Sequence, residues 1–331
     1  MIGKTLFNLL NYERAINKSA CYLNPGSGYL RISGPDRIDF LQRQTTNDLN
    51  LLAPGHILVT ALTSPTARIL DILTLVIEED AICAITLPEL AAQTAAYLQS
   101  RIFFMDNVTV SDASAEFAQI DLLGPDVSNT MSAIGFSGLI EPGEVLSNEI
   151  NGVDVQAFNT FGSIARLLVP SDGIQNLISA LEGVGTHRLE TDTYEVLRVE
   201  AGLPAAGHEL TEDYTPLETG LTEIISMTKG CFTGQEVIAR QVNFDKVTKQ
   251  MVGLHLEEEV KSGALVKNPE NSQPVGNVTS AITSPRFGPI ALAVLKRPHD
   301  KAGTELVAEY GANSINAIVS SLPFIHYPSS E

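Results

Sequence analysis

The chain has 331 residues, 44% of them hydrophobic, enough for two or three domains with a sizeable core. Its formal net charge is −18 and its pI about 4.7, so the surface as a whole repels nucleic-acid phosphates and anionic membranes, and an anionic ligand must be met by locally clustered bases. Cys21, Cys83 and Cys231 are odd in number, far apart and without CxxC spacing, which excludes a secreted disulfide framework and points to a reducing cytosol.

The first residues, MIGKTLFNLLNYERAINK, carry no long apolar run and no small-residue cleavage site, so they do not read as a signal peptide. From Tyr29, YLRIS alternates as a half-buried strand does; Gly34-Pro35-Asp36 then turns the chain into a helix-like IDFLQRQTTNDLNLL, with Asp36 near the positive end of the helix dipole. HILVTALTSPTARILDILTLVIEED holds β-branched runs broken at Thr63-Ser64-Pro65, which predicts antiparallel strands joined by a tight connection. AICAITLPELAAQTAAYL is interrupted by Pro88, Glu89 and Gln93 and reads as a strand followed by a helix, since a membrane span needs about 20 mostly apolar residues.

QIDLLGPDVSNTMSAIG repeats the earlier grammar at Gly124-Pro125-Asp126. Two copies of strand, Gly-Pro-Asp, helix point to a duplicated αβ unit, although two ordinary helix starts would spell the same. Strands follow in DVQAFNT and SIARLLVP, then a helix in DGIQNLISALEGVG with Asp172 as its N-cap, then a helix-like TDTYEVLRVEAG. From Met251 the chain becomes six short strands (MVGLHLE, GALVKN, VGNVTSAIT, IALAVLK, TELVAEY, INAIVSSLPF) with turn residues between them, the pattern of a small barrel or sandwich. A boundary near Asp245 divides 1–245, itself in two αβ parts meeting near 115–150, from 246–331. Only the closing YPSSE reads as a loose tail. The fold class is α+β.

Chemistry concentrates in KGCFTGQEVIAR, residues 229–240. With a helix starting near Gly234, Cys231 sits before its N-terminus, where unpaired amides, the dipole and Lys229 favour a thiolate below the ordinary thiol pKa of about 8.5. Gly230 and Gly234 permit a turn or close backbone approach. A buried packing thiol is the alternative. Glu200, one turn after Val196 on a partly buried helix face, is costly there unless Arg198, another base or a ligand pairs it. The six histidines form neither HExxH nor a pairing with cysteine, so no permanent zinc site is expected. GxGxxG, a Walker loop and GxSxG are all absent.

The octet from Lys229 to Glu236 resembles the KGC(F/Y)xGQE signature of YgfZ-type folate-binding proteins, relatives of mitochondrial iron–sulfur assembly factors and, more distantly, of the glycine-cleavage T-protein, an aminomethyltransferase. The likeness extends through FLQRQTTNDL, TSPTARILDIL, RVEAGLPAAGHEL, TPLETGL and VGNVTSAITSPRFGPIALAVLK. It implies three domains around a central tetrahydrofolate pocket, the last a β-barrel, and a role in maintaining iron–sulfur enzymes, including tRNA-modifying ones. Partners would then be iron–sulfur proteins or their assembly machinery, with no direct nucleic acid and no membrane.

A reduced pterin offers adjacent N–H donors that one carboxylate can accept in bidentate fashion, and Glu200 is the candidate. Arg198, Tyr194, Lys229, Gln235 and Arg240 join it as candidate cofactor-binding residues. Tyr194, Phe232 and Phe244 could stack on the pterin, and Arg240, Lys246 and Lys249 could form a basic rim for the glutamate tail. Glu200, with Glu218 in TPLETGL, leans towards the T-protein pattern. Asp71 is the second candidate catalytic residue beside Cys231. The T-protein carries two consecutive aspartates on the corresponding strand, whereas here Ile72 follows Asp71, and neighbouring strand residues face opposite sides, which puts aminomethyl transfer in doubt. A surface or turn-capping role for Asp71 is equally open.

Overall fold

In the computed structural model, residues 8–137, 140–159, 164–311 and 313–325 are described. The first seven residues, Ser163, His326 and the YPSSE tail lie outside them.

The chain opens with helix α1 (Leu9–Asn17), strand β1 (Ala20–Leu23), β2 (Gly28–Ser33) and α2 (Arg37–Gln44). It continues through β3 (Ile57–Thr63), β4 (Ile69–Ile77), β5 (Ala81–Thr86), α3 (Ala91–Ser100) and β6 (Thr109–Asp112). Then come β7 (Phe117–Leu123), α4 (Val127–Ala133), β8 (Val145–Ile150), β9 (Val153–Asn159), β10 (Ala165–Pro170), α5 (Ile174–Gly183), β11 (His187–Arg188) and α6 (Thr191–Glu200). A long irregular stretch leads to α7 (Gln235–Asn243).

Two sheets result. One runs β3-β4-β5-β2-β6, all antiparallel; the other runs β11-β1-β7-β10-β9-β8, antiparallel except for the β1–β11 edge. Alternation buries both faces of each sheet. Leu30, Ile32, Leu73 and Leu75 of the first sheet pack under α2 and α3. Ile120, Leu122, Leu167 and Val169 of the second pack under α4 and α5. The remaining faces meet each other through Tyr29, Val76, Cys83, Ile85, Phe158 and Leu168.

Both Gly-Pro-Asp turns follow a strand and precede a helix, one in each sheet. Gly34 and Gly124 adopt φ +105° and +113°, where a side chain would run into the backbone carbonyls of Asn107 and Lys18. Neither Asp36 nor Asp126 caps its helix through its side chain; Asp36 accepts the Asn107 amide, 2.8 Å away. Asp172 is likewise no cap. It lies in a 3-10 turn, and Gly173 takes the position before α5.

All six terminal strands form: β12 (Lys249–Leu256), β13 (Leu265–Lys267), β14 (Pro274–Ser284), β15 (Gly288–Lys296), β16 (Glu305–Tyr310) and β17 (Asn313–Ser320). They close into a barrel in the order β12-β15-β14-β13-β16-β17, with β17 returning to β12 and leaving no free edge. Its interior is filled with Val, Leu, Ile and Ala. The barrel wall packs on α6 through Val199, Ile290 and Leu292. Among the described residues no helix is long and apolar enough to cross a membrane.

Candidate functional site

The signature loop is sewn onto the first sheet at several points. Thr46 Oγ1 donates to the Ile224 carbonyl (2.8 Å), and the Ser226 amide donates to the Thr46 carbonyl (3.0 Å). The Thr233 amide donates to the Arg43 carbonyl (3.1 Å), while Thr63 Oγ1 donates to the Thr233 carbonyl (2.8 Å). FLQRQTTNDL, TSPTA and KGCFTGQE, far apart in sequence, are thus one structural unit.

Within it, α7 begins at Gln235 behind Gly234, whose φ of +86° is the left-handed conformation. A Cβ there would lie 2.8 Å from Thr63 Oγ1 and 2.9 Å from the Ser64 carbonyl, so only glycine lets the loop seat against the Thr63-Ser64-Pro65 turn. Gly230 has open space around it and an ordinary φ, so the freedom expected of it is not used. Cys231 is exposed, whereas Cys21 and Cys83 are buried. Its neighbours differ: Lys229 and Phe232 are buried, and Gly230 and Cys231 form an exposed tip between them.

Lys229 was expected to act on the thiol. Its Nζ instead donates to the carbonyls of Thr45 (2.9 Å) and Asn47 (2.6 Å) and lies 5.2 Å from the Phe232 ring centroid. Burial pushes its ammonium down to about 8, partly offset by the Asp48 carboxylate. Gln235 supplies the first turn of α7, its amide donating to the Phe232 carbonyl at 3.1 Å. Arg240 is exposed and pairs with Glu236 on its own helix (3.1 Å). Lys246 lies over exposed Phe244, and Lys249 over Tyr214. These contacts are what the three bases expected to form a rim make among the described residues.

Asp71 departs from its expected catalytic place. It faces α3, on the side of the sheet away from the signature loop, and is fully buried. Its Oδ1 accepts the amides of Ile72 (2.8 Å) and Leu87 (2.9 Å), and its Oδ2 accepts Thr94 Oγ1 (2.5 Å). Burial raises its carboxyl to about 7, against those three donors. This carboxylate ties β4 to the start of α3. Ile72 points the other way, into a cluster with Ala61, Leu217, Phe232 and Ile238. An apolar side chain therefore stands on the sheet face that meets the thiol loop.

Glu200 is the last residue of α6 and fully buried. Its Oε1 accepts Tyr12 Oη (2.8 Å) and Ser284 Oγ, and its backbone carbonyl accepts the amides of Phe324 (3.0 Å) and Ile325 (3.2 Å). Oε2 has no partner among the described residues. Bidentate acceptance is therefore closed at Oε1, and only Oε2 is open. Burial raises the carboxyl, opposed by Ser284, Tyr12 and the Arg286 charge.

Arg198 does not pair with Glu200. Residues two apart on a helix point to different sides, and its guanidinium reaches Glu195 (2.7 Å), Glu209 (3.4 Å), the Leu203 carbonyl (2.6 Å) and Ser280 (2.9 Å). Tyr194 stacks on Tyr22 with ring centroids 3.9 Å apart and donates to Asp121 Oδ2 (3.2 Å). Burial, with Asp121 next in effect, raises its hydroxyl. Phe232 is core.

One ionic feature escapes sequence inspection. Asp121 and Arg166 are directly opposed across β7 and β10, with Nε and Nη2 at 2.8 and 3.0 Å from the two carboxylate oxygens. Tyr12, Ser284, Arg43 and Thr63 also carry no local signal; each acts through a partner distant in sequence.

Comparison with known proteins places this geometry. Residues 26–160 match the GCVT N-terminal domain, and residues 249–326 match the glycine cleavage T-protein C-terminal barrel domain. A chloroplastic protein of Arabidopsis thaliana named "Putative transferase" is 29% identical over 92% of this chain and 71% of its own length. The mitochondrial aminomethyltransferase of Dictyostelium discoideum is 26% identical over 90% of this chain and 80% of its own. The crystal structure of the glycine cleavage system aminomethyltransferase T from Bartonella henselae superposes with a TM-score of 0.84 at 22% identity, covering 96% of this chain and 89% of that one. The chain has the aminomethyltransferase T-protein fold, assembled from a GCVT N-terminal domain and a T-protein C-terminal barrel.

Proposed function

We propose that this protein binds tetrahydrofolate and supports the assembly or repair of iron–sulfur enzymes through Cys231, without transferring an aminomethyl group. The observation that carries the reading is the opposite treatment of the two candidate reacting groups. Cys231 is exposed at the tip of a pinned loop. The Asp71 carboxylate is buried with both oxygens engaged, and Ile72 stands on the face towards the loop. A sealed acid cannot exchange protons with a substrate amine, whereas an exposed thiol can meet a partner protein.

Glu200 fits a folate. Its Oε2 is a buried acceptor with no donor among the described residues, at the junction of α1, α6 and the barrel. An unpaired acceptor of that kind is costly until a donor such as a pterin N–H reaches it. When bound, the folate would supply a one-carbon carrier or a reduced pterin. The iron–sulfur role rests on the signature resemblance.

Calorimetry with tetrahydrofolate tests the binding. Wild type should bind and Glu200→Gln should bind at least tenfold more weakly; no heat of binding in wild type would leave a folate-free scaffold. The names of the relatives favour a second reading, one-carbon transfer of the aminomethyltransferase kind. That reading predicts turnover of a one-carbon donor with tetrahydrofolate and its loss in Asp71→Asn.

A further inference from the structure

We infer that Lys229 is a positioning residue for Cys231: its Nζ, buried under the thiol loop, ties the loop to the 45–47 segment. The inference rests on the proposal that Cys231 is the working thiol.

Three observations converge on it. Nζ bridges the carbonyls of Thr45 and Asn47, two residues apart on the turn that follows α2. No carboxylate lies within ion-pair distance of it among the described residues, so the charge is met by two carbonyl dipoles and the face of Phe232. The same 43–47 stretch also receives the loop through Ser226 and Thr233. Lys229 and Phe232 therefore hold the two ends of the exposed Gly230–Cys231 tip. An amino nitrogen keeps N–H donors after losing one proton, so Nζ can hold both carbonyls whether charged or neutral.

The sign of the pH dependence separates an anchor from an activator. A free lysine titrates near 10.4. The anchored one titrates at about 8, because burial outweighs the attraction of Asp48, the one charged group identified as acting on it. Asp48 is itself held by Gln42 and Asn50, and the other faces against Nζ are the neutral carbonyls and the Phe232 ring. The released state therefore holds its proton more tightly than the anchored one. Below about pH 8 both states are protonated and their balance does not change with pH; between about 8 and 10 the anchored state gains, and release becomes rarer by roughly tenfold or more.

Amide hydrogen exchange on the intact chain reads this directly. The segments are 43–47 and 224–234, with barrel strands as the internal control and rates corrected for intrinsic base catalysis. In wild type, protection of both segments should rise from pH 7.5 to 10. Lys229→Met should exchange about tenfold faster there at every pH, with no rise. Lys229→Arg, whose guanidinium stays charged, should keep most of the protection and lose the rise. Unchanged protection in Lys229→Met, or protection that falls as pH rises in wild type, overturns the inference. Loss of cellular complementation in Lys229→Met with loop protection intact also overturns it, by giving the lysine a chemical role. If instead Cys231→Ala complements fully, the thiol proposal fails while the exchange result on the anchor stands.

Discussion

The corner around Asp71 and the tip that carries Cys231 are both reached from the β3–β4 hairpin, yet they are built to opposite ends. At the corner, a carboxylate is taken out of water and satisfied by two amides and a hydroxyl, so it holds backbone in place. At the tip, the neighbouring side chains are buried and the sulfur is left outside. The difference teaches that a reactive residue type indicates function only through what its atoms still have free. One T-protein fold holds both regions.

Several substitutions would break or sharpen that contrast. The largest effect on stability is expected at the ion pair inside the second sheet, where β7 and β10 lie side by side. Arg166→Met leaves Asp121 buried with its principal partner gone, and should cost about 3–5 kcal/mol in denaturant unfolding. Next comes Asp71→Ala, which strands the Ile72 and Leu87 amides and should cost about 2–4 kcal/mol. Asp71→Asn should behave otherwise. Its Oδ1 can still accept both amides, and its Nδ2 can donate to Thr94, so stability at pH 8 should be equal to wild type or greater.

The pH dependence gives the sign. Asp71 is raised by burial to about 7, and Glu200 is raised by the same cause. For a carboxyl with a raised folded pKa, the unfolded chain releases its proton first as pH rises. The stability these groups contribute is therefore complete below about pH 4 and declines up to about 7 for Asp71. Thermal unfolding from pH 4 to 8 should show that decline in wild type and a smaller one in Asp71→Asn and in Glu200→Gln. The smallest effect is expected at Ala67, held at φ +59° against Gly234. Ala67→Gly relieves about 1 kcal/mol of backbone strain and returns most of it as unfolded-chain entropy, for a net gain under about 1 kcal/mol.

These expectations follow unequally from sequence. The six barrel strands are legible because short alternating runs between Gly, Pro and Asn leave little else to form. The two Gly-Pro-Asp turns are legible for a similar reason: both glycines must take positive φ. The start of α7 at Gln235 is likewise legible. Side-chain partners are another matter. The sequence neighbours Lys229 and Cys231, or Arg198 and Glu200, invite pairing, but Lys229 turns instead to two backbone carbonyls and helix geometry separates Arg198 from Glu200. The contacts that decide the site, Tyr12 and Ser284 on Glu200 and Asp121 on Arg166, span separations of 188, 84 and 45 residues. No local pattern reports them. Asp71 shares the helix-covered face of β4 with Leu73 and Leu75, and which face that is emerges only from the pairing of β4 with β3.

The most direct test pairs the two candidate reacting groups in one assay, complementation of cells that lack a YgfZ-type protein. Cys231→Ala should fold and fail to restore iron–sulfur enzyme activity, while Asp71→Asn should restore it as wild type does. Full rescue by Cys231→Ala together with failure of a folded Asp71→Asn would contradict the account and return the carboxylate to the centre of the chemistry.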